Sequence, residues 1–262
     1  MRERMVDWSR HQGQTDLAKA IDEWGIVGLM ARCTIGFGYA DAWYEWNFEQ
    51  AQRLGILFGA YHVLYPWNRN PGKEVDWFAR HIMVNGTLPD FVVADLELPH
   101  TEDGWKTITP KEVGQQIVSL LPALAARTGK RVFVYTGSWW WNGTIGNCLM
   151  GKVTPLGIEQ DYMLWESEYP INTPVGGIQF SQAPEAPKMP TLGKGWTDKD
   201  LVGWQWTSCL KPTGVQSKSQ DADVLIPTFD EFLVIIGKAA PPLSDKVKLD
   251  RLWEAHPELH DG

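Results

Sequence analysis

The chain is poor in cysteine, and the three it has, Cys33, Cys148 and Cys209, are odd in number and far apart. That excludes a disulfide framework and a paired CxxC metal site, leaving three small buried hydrophobes as the expectation. No apolar run approaches the ~20 residues that a membrane span needs, so membrane insertion is not expected. Residues 1–7 lack the apolar core of a secretory leader, which predicts synthesis as a soluble cytoplasmic chain. A target outside the membrane would then require release by some other agent. A basic excess is missing too: 24 Lys and Arg stand against 32 Asp and Glu, for a net charge of -8. Nothing there neutralises a phosphate backbone, which argues against nucleic acid as a partner. No internal repeat or low-complexity tract is found.

The hydrophobic content of 44% and charged content of 21% are those of an ordinary globular chain, enough for a sizeable core. At 262 residues it fits one large barrel-type domain or two smaller ones. The unusual figure is 15 tryptophans. Their flat faces suit stacking on bases or sugar rings, and with nucleic acid disfavoured, carbohydrate is the expected partner.

The most informative stretch is Phe91-Val92-Val93-Ala94-Asp95-Leu96-Glu97. A short apolar run bounded by Pro89-Asp90 and Pro99 reads as a buried strand. Side chains alternate along a strand, so Phe91, Val93, Asp95 and Glu97 share one face, with both acids at its C-terminal end. Paired carboxylates on a buried face repel each other and are costly to desolvate.

Strand-like runs at 5–9, 26–34, 56–63, 91–97 and 131–136 alternate with helical segments. These are 16–24 (capped by Thr15 and stopped by Gly25), 46–54, 73–84 and a long helix opened by Thr109-Pro110-Lys111-Glu112. Alternation of this kind predicts a parallel sheet with crossover helices. The second half breaks the pattern: strands at 161–167, 200–207 and 221–226, the last two as a hairpin, with a Pro- and Gly-rich loop over 169–196. Thr228-Phe229-Asp230-Glu231 opens a further helix. Eight strands with too few helices late in the chain predict an irregular (β/α)8-like barrel over residues 1–240. Residues 241–262 follow as a C-terminal helical extension, amphipathic through Val247, Leu249, Leu252 and Trp253. His256 and His260 are four apart, but Pro257 lies between them and no metal site is expected.

In β/α barrels the site forms at the C-terminal strand ends. Asp7, Asp95, Glu97 and Asp223 fall there, with Asp221 as rival to Asp223, and Tyr61, Tyr135 and Trp165 add aromatic surface. Several carboxylates between aromatic walls are what glycoside hydrolysis needs: one carboxylic acid protonates the leaving oxygen, another stabilises positive charge or attacks. The like charge of Asp95 favours Glu97 as the proton donor. Cα atoms two apart on a strand are roughly 6.5 Å from each other, which does not choose between retaining, inverting and substrate-assisted courses. Tyr61 and Tyr135 could equally be barrel core or sugar contacts. Of Trp139-Trp140-Trp141, one or two are expected on the sugar and the rest in the core. His11 and His62 read as hydrogen-bonded structural groups.

Asp7-Trp8-Ser9-Arg10-His11-Gln12-Gly13 resembles the opening DxSxxQG of family 25 glycoside hydrolases, the phage and bacterial N-acetylmuramidases. The resemblance continues through Gly59-Ala60-Tyr61-His62, Asp95-Leu96-Glu97, Val134-Tyr135-Thr136 and Leu164-Trp165. It ends with Trp204-Gln205-Trp206-Thr207-Ser208 and Asp223, so that it spans about residues 5–237. It implies cleavage of the β-1,4 bond between N-acetylmuramic acid and N-acetylglucosamine in bacterial peptidoglycan, without metal or cofactor, after release to the wall. Carried over, Glu97 is the acid/base, Asp95 orients the acetamido group or stabilises the intermediate, and Asp7 and Asp223 complete the cluster. Tyr61, Tyr135, Trp139, Trp165 and Gln205 would hold the glycan. Two departures stand out: Arg32-Cys33-Thr34 where the family often has Lys-Ala-Thr, and no Asn two residues after Asp223. The competing readings are a wall-glycan-binding module that has lost catalysis and a barrel glycosidase acting on chitin-like chains.

Overall fold

The computed structural model describes residues 2–97, 108–144, 162–170, 177–185 and 188–238. Nine strands form one sheet: β1 (Arg4–Trp8), β2 (Gly28–Ile35), β3 (Tyr39–Ala40), β4 (Leu57–Val63), β5 (Phe91–Asp95), β6 (Val132–Thr136), β7 (Met163–Ser167), β8 (Leu201–Leu210) and β9 (Gln220–Leu225). Eight of them close into a barrel in the order β1-β9-β8-β7-β6-β5-β4-β2, sealed by β1 pairing with β2. The two-residue β3 adds an antiparallel edge to the end of β2 and has no signal in the sequence. Neighbours are parallel from β1 through β8, but β9 runs antiparallel to both β8 and β1. The start of β9 therefore lies at the same end as the finish of every other barrel strand.

Six helices are described: α1 (Leu17–Trp24), α2 (Tyr44–Leu54), α3 (Pro71–His81), α4 (Pro110–Thr128), α5 (Ser138–Thr144) and α6 (Phe229–Ile235). Their ends carry the chemistry that stops and starts helices. Thr109 with Glu112, and Thr228 with Glu231, form reciprocal capping boxes. Gly25, Gly55 and Gly129 terminate α1, α2 and α4 in the left-handed conformation. The cap of α1 is Asp16, accepting from the Lys19 amide. Thr15, expected there, instead donates to Asn47 Oδ1 at 2.6 Å and accepts from Gln50 Nε2. The β7–β8 connection holds no α-helix among the described residues, as the late loss of helical pattern predicts.

The core has two compartments. Outside the barrel, residues such as Leu29, Phe58, Val92 and Val134 lie under Phe48, Phe78, Ile117 and Leu124 of the helices. Inside, alternate strand positions contribute Met5, Met30, Phe91, Phe133 and Trp165. The N-terminal end of the barrel is plugged by α6. Its Phe232 meets the rings of Phe91 at 5.4 Å, Phe133 at 5.7 Å and Trp165 at 6.3 Å between centroids. Gly203 makes room for this cluster, since a Cβ there would come within 2.2 Å of the Trp165 ring.

The tryptophan excess is mostly a packing device. Trp8, Trp141, Trp165, Trp204 and Trp206 are fully buried. The inference from tryptophan number to carbohydrate thus fails for these five, and among the described residues Trp139 is the one that lines the open cleft. Cys33 is buried, as expected, whereas Cys209 is partly exposed. Cys148, the histidines at 256 and 260, and the extension over 241–262 lie outside the described residues, so the division at residue 240 stays an expectation. Among the described residues, no helix is long and apolar enough to cross a membrane.

Candidate active site

Strand alternation fixes which side chains enter the barrel, and position along the strand fixes how deep they sit. At the C-terminal end, Asp7 of β1, Arg32 of β2, Tyr61 of β4, Asp95 of β5, Tyr135 of β6, Gln205 of β8 and Asp221 of β9 converge on a cleft of about 370 Å³. Glu97, two residues past β5 once that strand has stopped at Asp95, enters from the rim with Trp139 and Tyr169. The sequence expectation carried the strand through to Glu97; the earlier stop puts Glu97 on a loop.

Asp7 is anchored by Gln205, whose Nε2 donates to its Oδ2 at 2.7 Å. Gln205 is anchored in turn: its Oε1 accepts from the hydroxyls of Tyr135, at 2.8 Å, and Tyr169. Burial lifts the Asp7 carboxyl to about 6, opposed by hydrogen bonds from Gln205 and Asp223 and by the Arg32 charge. Burial, and then the Asp7 charge, lift Glu97 to about 7. Asp95 is pushed well above the usual carboxylate range by burial and then by Glu97. Both carboxyls of the pair are thus raised, which favours one shared proton over two adjacent charges. The Glu97 amide donates to Asp95 Oδ1 at 3.2 Å, which favours leaving the negative charge on Asp95 and the proton on Glu97. Asp221, opposite Asp7 in register, is raised by burial and by the charges of Asp7 and Glu97.

Two of the expected site residues do not reach the cleft. Trp165 points into the barrel but is fully buried, stacked on Phe91 and donating its Nε1–H to Asp223 at 2.7 Å. It is a core side chain and cannot grip a sugar. Asp223 is likewise closed to solvent, one inward position deeper than Asp221, which takes the place at the cleft wall. The reason is geometric: residues two apart share a face but differ in depth, and β9 runs downward from the mouth. Tyr61, Tyr135, Trp139 and Gln205 do line the cleft, with Trp139 the most exposed at 56%.

Other groups support the walls. Arg32 is ion-paired to Asp41 at 2.9 Å, and Asp41 also accepts from the Arg10 amide. The sequence marked Arg32 only as a departure from the family pattern, and Asp41 and Tyr169 carried no signal. His62 is fully buried on the outer face of β4, between Thr34 Oγ1 at 2.8 Å and Glu74 Oε2 at 3.1 Å, a structural role as expected. Glu74 also accepts from the Tyr65 amide, which sets Tyr65 at the cleft edge. Glu166, on the outer face of β7, is fully buried and accepts from the Ser138 amide at the start of the segment bearing Trp139; its Oε2 has no partner among the described residues. Burial raises it to about 8. Among the described residues no group of three or more His, Cys, Asp or Glu could hold a metal ion.

The profile of the family described as glycosyl hydrolases family 25 matches residues 6–215. Lysozyme M1 of Streptomyces globisporus is 26% identical over 148 residues, 54% of this chain and 49% of that protein. The chain thus spans about half the length of the curated relative it matches. A bacterial lysozyme from Streptomyces coelicolor superposes with a TM-score of 0.71 at 21% identity, over 92% of this chain and 99% of the other. The CTP1L endolysin superposes with a TM-score of 0.61 at 22% identity, over 89% of this chain and 69% of its own.

Proposed function

Because the chain belongs to the glycosyl hydrolases of family 25, we propose that it is a peptidoglycan hydrolase cleaving the β-1,4 bond between N-acetylmuramic acid and N-acetylglucosamine. The observation that carries this reading is the carboxyl pair Asp95 and Glu97 beside Asp7 in a cleft whose walls include Tyr61, Tyr135, Trp139 and Tyr169. Glu97 holds a proton near neutral pH and stands at the rim, where a glycosidic oxygen can approach; it acts as general acid and then as base. Asp95, with the Glu97 amide on its Oδ1, supplies negative charge beneath the developing oxocarbenium ion or orients the acetamido group. Asp7 and Asp221 complete the field, and Asp221 replaces Asp223 as the last acid of the cleft. Trp139 offers a flat face for a pyranose, while Tyr61 and Tyr135 wall the floor. No step calls for a metal or cofactor. The lysozyme and endolysin relatives support a cell wall as the place of action, after the protein has left the compartment where it is made.

Turbidity clearing of purified bacterial walls tests the proposal, wild type beside Glu97→Gln. Removing a general acid costs roughly 10²–10⁴-fold. If Glu97→Gln clears walls as fast as wild type, the assignment is wrong. Reducing-end analysis of the products separates muramidase from glucosaminidase cleavage, and chitin oligomers in the same assay test the chitin-like alternative.

A further inference from the structure

Beneath the cleft floor lies a carboxyl group that touches no substrate. Asp223 enters the barrel from β9, cross-strand from Met5 on β1 and Gln205 on β8, and none of its surface reaches solvent. Its Oδ1 accepts from Trp165 Nε1, whereas its Oδ2 finds no donor among the described residues. Yet its carboxyl lies within hydrogen-bonding reach of the Asp7 carboxyl. Two carboxylates cannot hydrogen-bond, because each only accepts. Among the described residues, the titratable groups that act on Asp223 are Asp7 on β1 and Asp221 on its own strand; Trp165 donates to it, and Gln205 and Met5 stand cross-strand without a charge. Arg32, on β2, faces Asp7 and is committed to Asp41. An anion at position 223 would thus be dehydrated, beside two other acids, with a single donor.

We propose that Asp223 works as a carboxylic acid, its Oδ2–H donating to Asp7, so that this donor and Gln205 Nε2 together hold Asp7 as the anion at the cleft floor. A proton on Oδ2 satisfies the orphaned oxygen, removes one of three crowded charges, and turns a repulsive contact into a charge-assisted hydrogen bond. Burial and the two neighbouring acids raise its pKa well above the usual range, in keeping with this. Asp223 is a positioning residue acting through Asp7, and its effect on turnover rests on the proposed role of Asp7 in glycan cleavage.

Two substitutions and two readouts test it. Asn at 223 carries a donor at every pH and keeps the acceptor for Trp165; Leu has neither. Asp223→Asn is expected to retain wall hydrolysis within a few-fold and to leave the acid limb of the pH profile in place. Asp223→Leu is expected to lower kcat roughly tenfold or more, the worth of a hydrogen bond to a charged group, with little change in KM. It should also move that limb to higher pH, because Asp7 loses a donor that favours its ionised form. Equal damage from both variants, or an unmoved limb in Asp223→Leu, overturns the proposal. Infrared difference spectra at neutral pH decide the proton without any activity. Asp223→Asn should lack one carboxylic-acid C=O band present in wild type, and an unchanged band refutes the protonated donor even if Asp223→Leu yields no folded protein. Wild type that clears no walls sinks the proposed function and leaves the infrared result to stand alone.

Discussion

Substituting Glu166 by Gln should make the protein more stable in alkali while barely changing it in acid. Glu166 is fully buried, holds the Ser138 amide with one oxygen and leaves the other unpaired among the described residues. Its pKa rises from 4.5 to about 8, mainly through burial. Below about pH 4.5 the group is protonated in folded and unfolded chains alike and costs nothing. Between 4.5 and about 8 the folded chain binds the extra proton, so stability falls as pH rises through that window and levels off above it. At about 1.4 kcal/mol per tenfold change in proton affinity, the gap sets a ceiling of about 5 kcal/mol at pH 9. Glutamine keeps the acceptor for Ser138 and never ionises. At pH 5 the variant should melt within about 2 °C of wild type, the unpaired amide replacing an unpaired hydroxyl. By pH 9 it should melt on the order of 10 °C higher, taking about 2–4 °C per kcal/mol for a chain of this size. Thermal unfolding followed by circular dichroism at pH 5, 6, 7, 8 and 9 measures both proteins. A difference in Tm that stays constant across that range refutes the reasoning, because Glu166 would then not be the titrating group.

Wall hydrolysis should follow a narrow bell, rising as Asp7 ionises near pH 6 and falling as Glu97 loses its proton near pH 7; initial rates at constant ionic strength check this. Phe232→Ala should cost roughly 3–5 kcal/mol in denaturant unfolding, because α6 plugs the barrel through that ring, and it should shift tryptophan emission to the red as Trp165 loses its cover. An unshifted emission maximum would mean that α6 does not seal the barrel.

Much of the barrel is legible in the residues because its elements obey local rules. Both capping boxes, the glycine stops and the alternation of strand and helix up to residue 136 are short-range signals, and they agree with one another. The closing of β1 against β2 is a long-range fact that no local pattern carries, whereas the reversal of β9 follows from the hairpin expected of 200–207 and 221–226. The α5 segment, Ser-Trp-Trp-Trp-Asn-Gly-Thr, has poor helix propensity and is held from outside, by Glu166 at its first amide and by Trp141 packing on Trp196. At the site, a period of two reads faces well, which is why Asp7, Asp95, Tyr61 and Tyr135 share the barrel interior, whereas Gln205 is marked only by the family resemblance. It is blind to depth. Asp221 and Asp223 are equivalent by alternation, and only the direction of β9 puts the first at the mouth and the second in the dark. Trp165 falls to the same ambiguity.

The plug formed by α6 gives the molecule two ends with different duties. Lys238, the last described residue, places its Nζ 2.5 Å from Asp90, immediately before β5, whereas Asp95 closes that strand at the cleft. Five residues at about 3.3 Å each separate those ends by roughly 16 Å. The described chain thus reaches residue 238 at the sealed pole. Anchored to a bead or a reporter through that pole, the protein would turn its open mouth outward, toward a polymer far too large to diffuse around it.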